Sequence, residues 1–556
     1  MDYTQMITKS ILFFSVVLLS SISLYASNDY DELKKLVARD DQATDYFGTS
    51  VSIDGDYAIV GADGEDSGGS RAGAAYIFRH TGLSWSQVAK LQASDRAVGD
   101  LFGNSVSIKG DYAIVGAVFK NSGEGACYVF KRSGSTWTQQ AKLQANDKAA
   151  NDAFGRSVSI DGDYLIVGAD GENSSGTSAG AAYIFQRFGS SWGQIRKIKS
   201  SDISSFDRFG SSVSISGDYA IVGAYSEGSG VNEGAAYVFV RSGTSWPQQT
   251  KIISSDRSAN DRVGISVSID GSSAIVGAFG EATSGSFAGA AYVYSRFGSI
   301  WYEESKLQAS DAAANDQFGI SVSLEGDYAI VGANGEATGG ADAGAAYIFS
   351  RTGGTWSQES KIQSSDVATE DFFGRSVSIS EDYAIVGAWG EDTGGSQAGA
   401  SYIFGPQPPD PMHPSNFNLQ GKAGIDSLSL SFDSPSSKNN EGYLLLYREG
   451  SVLTDLPVDN TIYNVGDNIG DAKVGGIITD ENATSFTLTG LTLNTDYILK
   501  LVPFRDSDPT RDFHTSGTPA TLTATTIPTM GEWAMYGLIG LMGLGGLIAL
   551  RYNRLG

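Results

Sequence analysis

One phrase recurs seven times between Phe47 and Phe404: a Phe-Gly pair, a Ser-Val-Ser-Ile run, a Tyr-Ala-Ile-Val-Gly-Ala run, and then Gly-Ala-Ala-Tyr-Ile-Phe, each with small variations. The pairs begin at Phe47, Phe102, Phe154, Phe209, Phe318 and Phe373, with Val263-Gly264 in the fifth place, so successive units start 52 to 55 residues apart. A unit of this length cannot bury its apolar faces alone and must pack on its neighbours. In the first unit Val51-Ser52-Ile53 runs through Asp54-Gly55-Asp56 into Tyr57-Ala58-Ile59-Val60-Gly61-Ala62. Asp-Gly between two apolar runs signals a tight hairpin. The second run is almost wholly apolar, as a strand covered on both faces should be. Ala74 to Phe78 supplies a third strand and Trp85 to Ala93 a fourth, after a turn around Gly82.

Four antiparallel strands repeated seven times predict radial packing, an all-β seven-bladed β-propeller over residues 30–405. The seventh unit stops at Phe404 without a fourth strand, while Lys35-Leu36-Val37-Ala38-Arg39-Asp40 matches the fourth-strand run Lys90-Leu91-Gln92-Ala93-Ser94-Asp95. The first strand of the domain therefore completes the last blade, closing the ring and hiding two sheet edges. The Phe-Gly and Gly-Ala pairs resemble FG-GAP repeats, the blade type of integrin α-subunit propellers, and more closely their bacterial variant. Pro never follows Gly-Ala here. The Asp-x-Asp-x-Asp-Gly calcium loop of the integrin type is also absent, its place taken by Asp54-Gly55-Asp56 and its equivalents. Calcium needs six to eight oxygens, more than a two-residue turn supplies.

The two ends point out of the cytoplasm. Lys9, an apolar run from Ile11 to Leu19 and small residues up to Ala26 read as a signal peptide over 1–26. At the other end Ala534 to Leu550 is charge-free and followed by Arg551 and Arg554, a short membrane span with a cytoplasmic C-terminus. Ile527-Pro528-Thr529-Met530-Gly531-Glu532-Trp533 before it resembles the Ile-Pro-Thr-Leu type of sorting signal of Gram-negative bacteria. That resemblance implies a tail over 527–556, with Ile527, Pro528, Thr529, Glu532 and Trp533 as its motif, handled by an exosortase-like enzyme. A permanent single-span anchor is the alternative. Between propeller and tail lie a Pro-rich linker, 406–414, and a domain at 415–526. There, alternation in Ser427 to Phe432 and the strand-like Gly442 to Arg448 predict a β-sandwich. Leu491 and Tyr497 stand at the tyrosine-corner spacing, so this part resembles a fibronectin type III domain.

Charge narrows the partners. A net charge of −25 and a pI near 4.5 repel phosphate backbones and argue against nucleic acid. On the face carrying the fourth-to-first and second-to-third loops, every unit has two Asp five apart, from Asp40/Asp45 to Asp366/Asp371. Six units add a Glu there, while the second has Lys120. The opposite face has Arg132, Arg187, Arg241, Arg296 and Arg351, with His80 in the first unit, so it should be the more basic. Asp in loops fixes turns through backbone N–H groups, and residues present in every blade read as parts of the fold. The other reading is a carboxylate set for divalent cations, densest at Asp63, Glu65, Asp66, Glu391 and Asp392; calcium is the one cofactor this leaves open. A unique ligand site belongs where blades differ, at Phe119, Lys120, Tyr225, Phe279 and Trp389 on the rim. These side chains either meet a partner or pack between blades.

Three scattered histidines, His80, His413 and His514, and the single Cys127 assemble no nucleophilic or metal-assisted site, so we expect no enzyme. The expected function is recognition or adhesion at a bacterial cell surface or outer envelope, anchored or released, toward an extracellular protein or glycan. An extracellular hydrolase or lyase on the same scaffold and a structural envelope component are the rivals.

Overall fold

The computed structural model describes residues 30–406, apart from 82–83, 229 and 381–382, and beyond them the strands that fall between 420 and 525. The chain divides into two compact units, Met1–Gln407 and Pro408–Gly556. In the first, seven four-stranded antiparallel sheets form the blades of a propeller. Blade 1 is built of Phe47–Asp54, Tyr57–Ala62, Ala74–His80 and Trp85–Leu91, in that order across the sheet. Blade 7 takes its outermost strand from the start of the domain: Tyr30–Leu36 pairs with Ala400–Pro406, with Leu36 opposite Ser401. The closing strand expected from the Lys35 to Asp40 match is therefore present.

The first strand of each blade lies innermost, against the first strands of its two neighbours. The Ser-Val-Ser-Ile run explains how. Its first serine (Ser50, Ser105, Ser157, Ser212, Ser266, Ser321, Ser376) donates its hydroxyl to the Phe-Gly or Val-Gly glycine carbonyl of the next blade at 2.7–3.0 Å. Its second serine accepts the N–H of the next blade's Ile or Leu at 3.1–3.3 Å. Both sets close on themselves, Ser376 reaching Gly48 and Ile53 reaching Ser378. Backbone approach this close demands glycine in the neighbouring strand: a Cβ on Gly61 would stand 2.0 Å from the Gly103 carbonyl oxygen.

The valines and isoleucines between these serines share the other side of the strand, as period-two alternation requires. Val51 and its six equivalents are each 8% exposed, a uniform value that suits a narrow axial channel. A cavity of about 180 Å³ opens at the hairpin end of that channel, lined by Ile53, Ile160, Ile215, Ile269, Leu324 and Ile379 with Lys109, Asp161, Asp270 and Glu325 at its rim. Between blades, aromatic and aliphatic side chains form one core per junction. Ile59 and Ile77 of blade 1 meet Phe102, Val106, Ile108 and Tyr128 of blade 2, and Phe102 stands edge-on to Phe130. Each such side chain contributes roughly 1.5–3 kcal/mol on burial. Cys127 is fully buried in the next such core, and burial pushes its thiol up, so it acts as a small apolar residue.

In the second unit the described strands make two antiparallel sheets, one of three strands and one of six. Ser427–Ser431 and Gly442–Glu449 stand where alternation placed strands, and the latter pairs with Asp496–Ser507. Among the described residues no helix is long and apolar enough to cross a membrane. The expected signal peptide, the sorting motif and the span from Ala534 lie outside the described residues.

Gly61→Ala should lower stability by about 2–4 kcal/mol, because the Gly103 carbonyl of the next blade and the Ser50 hydroxyl must give way. An unchanged denaturation midpoint would refute the close-approach argument. Deleting residues 30–36 leaves Ala400–Pro406 as an open edge and should add concentration-dependent association to the intact protein's gel-filtration behaviour.

Candidate functional site

The loop face is organised by lysines from the outermost strands. Lys35, Lys90, Lys142, Lys197, Lys251, Lys306 and Lys361 each pair with the first Asp of a loop (Asp366, Asp40, Asp95, Asp147, Asp202, Asp256, Asp311) at 2.6–2.7 Å. All but Lys142 also reach a Glu at 2.8–3.2 Å, buried in each case except the half-buried Glu227. Each ammonium sits 5.4–5.9 Å from the ring centre of the third-strand Tyr. Burial alone would push Glu172 up, but its bonds to Ser174, Lys197 and Lys199 hold it at about 2. The second Asp of each loop is buried and accepts the N–H of the residue three before it at 2.6–3.0 Å. The repeated carboxylates are turn caps and lysine partners, as their presence in every blade suggested.

The five cation candidates are committed in the same way. Glu65 binds Lys90 and Glu391 binds Lys35, while Asp63 faces Arg71 at 3.9 Å. Asp66 and Asp392 accept the backbone N–H groups of Arg71 and Gln397. Among the described residues no three His, Cys, Asp or Glu side chains converge on a metal position.

The rim candidates separate. Phe119 is open to solvent at 54% exposure. Lys120, expected on the rim, is buried instead, its ammonium on Asp100 at 2.7 Å and on the Asp95 carbonyl. It occupies the Glu place of blade 2, and Asp100, a turn cap in every blade, doubles there as its counter-ion. Phe279 packs against Phe287 with Arg262 over its ring at 4.9 Å. Trp389 is half-buried, stacked on Phe372 at 4.8 Å with Tyr46 at its edge. Tyr225 is half-buried.

The opposite face is less basic than the sequence implied. Arg132, Arg187, Arg241 and Arg351 are each bound by the hairpin Asp of their own blade (Asp111, Asp163, Asp218, Asp327), and His80 lies 3.6 Å from Asp56. Blade 5 breaks this rule. Ser272 replaces the Asp, so Arg296 has no carboxylate partner among the described residues and rests over Tyr219 at 4.3 Å. Beside it Phe297 and Ile300 are the cross-strand pair of an exposed hairpin end.

Sequence reading missed another variable position, the residue directly after Phe-Gly or Val-Gly: Thr49, Asn104, Arg156, Ser211, Ile265, Ile320 and Arg375. It lies two residues before the channel valine, and so at the loop-face mouth of the channel. Arg156 and Arg375 are both open to solvent. Burial first, and then the charge of Arg156, lowers the Arg375 pKa. The signal in the sequence was two cations among seven otherwise uncharged residues.

Two predictions follow from the ion pairs. Lys120→Met leaves Asp100 buried without its partner and should cost about 3 kcal/mol. Lys120→Glu restores to Lys142 the partner the other six lysines have, and should cost clearly less; equal losses would overturn the reading. Asp41, Asp45, Asp261 and Asp371 are each pushed up to about 6, by burial first and also by neighbouring Glu charges. They bind protons more tightly folded than unfolded, so stability should rise as pH falls from about 7 to about 5. Asp40, Asp147 and Asp311 are lowered, because their lysine bonds outweigh the upward push of burial. The stability they add is present above the unfolded value and lost as pH falls below about 4. Tm against pH should therefore peak near about pH 5; a steady fall from pH 7 downward would contradict the assignment.

No curated protein matches the chain. Seven segments do match the family described as FG-GAP repeat, at 30–78, 85–130, 137–185, 192–239, 246–294, 301–349 and 356–404. These segments share one phase, running from an outermost strand through the next blade's third strand, the same offset by which Tyr30–Leu36 closes the ring, and with them the chain belongs to the FG-GAP repeat family.

Proposed function

We propose that this protein is an exported surface protein that recognises or adheres to an extracellular protein or glycan through the loop face of its propeller. One observation carries the choice of face. Four apolar side chains stand exposed there, in the loops where the repeat is least regular, Val98 and Phe119 around blade 2 and Phe206 and Val231 around blade 4, whereas the exposed Phe188, Phe297 and Ile300 of the opposite face stand at the ends of regular hairpins. Exposed apolar groups rimmed by polar loops are the usual chemistry of a contact surface. The remaining loop residues bond to one another, which gives that surface a rigid base.

The signal-like 1–26 and the Ile527 to Trp533 motif support export and attachment, with an exosortase-like enzyme as the processing partner. The strands after residue 415 suit a fibronectin-like spacer. The reading contains no chemical step.

The test is binding of the full chain to glycan and cell-surface panels, in calcium and in chelator. Replacing Phe119 and Phe206 by Ser should weaken capture at least about tenfold. Replacing Phe297 and Ile300 on the opposite face should leave it unchanged. The reverse pattern would move the interface to the other face, and no capture under any condition would sink the recognition reading.

A further inference from the structure

The cavity at the hairpin end of the channel carries more charge than its hairpins need. One position per blade sets its rim, the last residue of each first strand: Asp54, Lys109, Asp161, Ser216, Asp270, Glu325 and Ser380. The structural task of this position is to accept the N–H of a glycine in the next blade's hairpin. Asp54, Asp161 and Asp270 do so at 2.7–2.9 Å, reaching Gly110, Gly217 and Gly326. Ser216 and Ser380 do the same for Gly271 and Gly55 at 3.2 Å, without a charge. The ring nevertheless holds four carboxylates against one ammonium.

Lys109 meets Asp54 at 2.7 Å. Among the described residues neither Asp161 nor Asp270 has an ion pair, although Asp163, in the same hairpin as Asp161, is held by Arg187. Lys109 shows what this mouth accepts. Burial works against its ammonium, but Asp54, and then Glu325 and Asp161 from other blades, outweigh that and hold it above its ordinary value. A cation here therefore feels several carboxylates at once. Below the rim the wall is aliphatic: Ile53, Ile160, Ile215, Ile269, Leu324 and Ile379 all line the cavity and are each 4–5% exposed. Its volume of about 180 Å³ is enough for a six-carbon group, since a cavity of about 150 Å³ holds benzene. Among the described residues no three carboxylates converge on a metal position. The acids are spaced around an opening and not gathered on one ion.

We propose that this cavity binds an organic ammonium, whose hydrocarbon stem enters between the aliphatic side chains while Asp161, Asp270 and Glu325 hold its charged head at the rim. An ammonium is a compact charge with three donors, which suits carboxylates placed on several sides of an opening. The acidic rim concentrates cations at the mouth, and the apolar wall selects those that carry a stem. Such a group occurs on free alkylamines and on the lysine side chains of a partner protein. The site lies on the face opposite the recognition loops and stands independently of them.

The test is calorimetric titration of the full chain with hexylammonium chloride, ammonium chloride, sodium hexanoate and a short blocked peptide containing one Lys. Saturable uptake of hexylammonium is expected below about 10 mM, with ammonium much weaker and hexanoate not taken up. Asp161→Asn with Asp270→Asn keeps an oxygen for each glycine N–H and should weaken uptake at least about fivefold. Lys109→Gln removes the resident cation and should tighten it about threefold. Ser216→Lys repeats in blade 4 the residue that blade 2 carries, and should weaken it even if the Asn pair does not fold. A peptide that binds as tightly as hexylammonium assigns a lysine side chain, and a weaker one assigns a free amine; both support the site. No saturable uptake, equal uptake of hexanoate, or Lys109→Gln and Ser216→Lys shifting affinity in the same direction overturns it. Surface capture that depends on Phe119 and Phe206 is unaffected by either result.

Discussion

The propeller depends on a pair of serine hydrogen bonds repeated at every blade junction. The first serine of Ser-Val-Ser-Ile donates to a glycine carbonyl of the next blade, and the second accepts from a backbone N–H of the same strand. Innermost strands that do not pair as a ladder would otherwise leave these groups unsatisfied, at a cost of about 1–3 kcal/mol each. Serine is the smallest side chain able to do both jobs, and glycine in the adjacent strand is what lets the backbones come close enough. Seven such junctions close on themselves, so the ring and the channel down its axis are the same construction.

Charge has a similar division of labour. Most carboxylates of the loop face hold lysines, tyrosines and turns, and they are identical from blade to blade because each blade needs them. An acidic composition therefore does not imply a cation site here. Blade 2 shows how tightly the positions are coupled: exchanging Glu for Lys120 is tolerated because Asp100 stands within 2.7 Å to receive it. Arg296 shows the opposite case, where losing the hairpin Asp leaves a cation resting on an aromatic ring.

Function then has to be sought in the exceptions. Phe119, Phe206, Arg156 and Arg375 are each departures from their repeat, and none is held in place by an ion pair. Phe119 was legible because it sits in a loop that departs from its repeat. Lys120, next to it, looked equally exposed and is buried, because charge alone does not reveal whether a counter-ion waits across a loop. Phe279 and Trp389 stood at the right positions but found aromatic neighbours, Phe287 within the same loop and Phe372 in the loop before the blade's first strand.

The sequence by itself determined the number of blades, the strands within them and the way the ring closes. These follow from local alternation, turn residues and a self-match between Lys35 to Asp40 and Lys90 to Asp95, none of which needs a third dimension. Only the tertiary structure decided which charges are spent and which are free. Radial packing brings residues about fifty positions apart into contact, so Lys90 meets Asp40 and Ser50 meets Gly103. It also brings Arg156 and Arg375, which no local pattern links, within reach of each other's charge, because a closed ring brings opposite blades near one another across the axis.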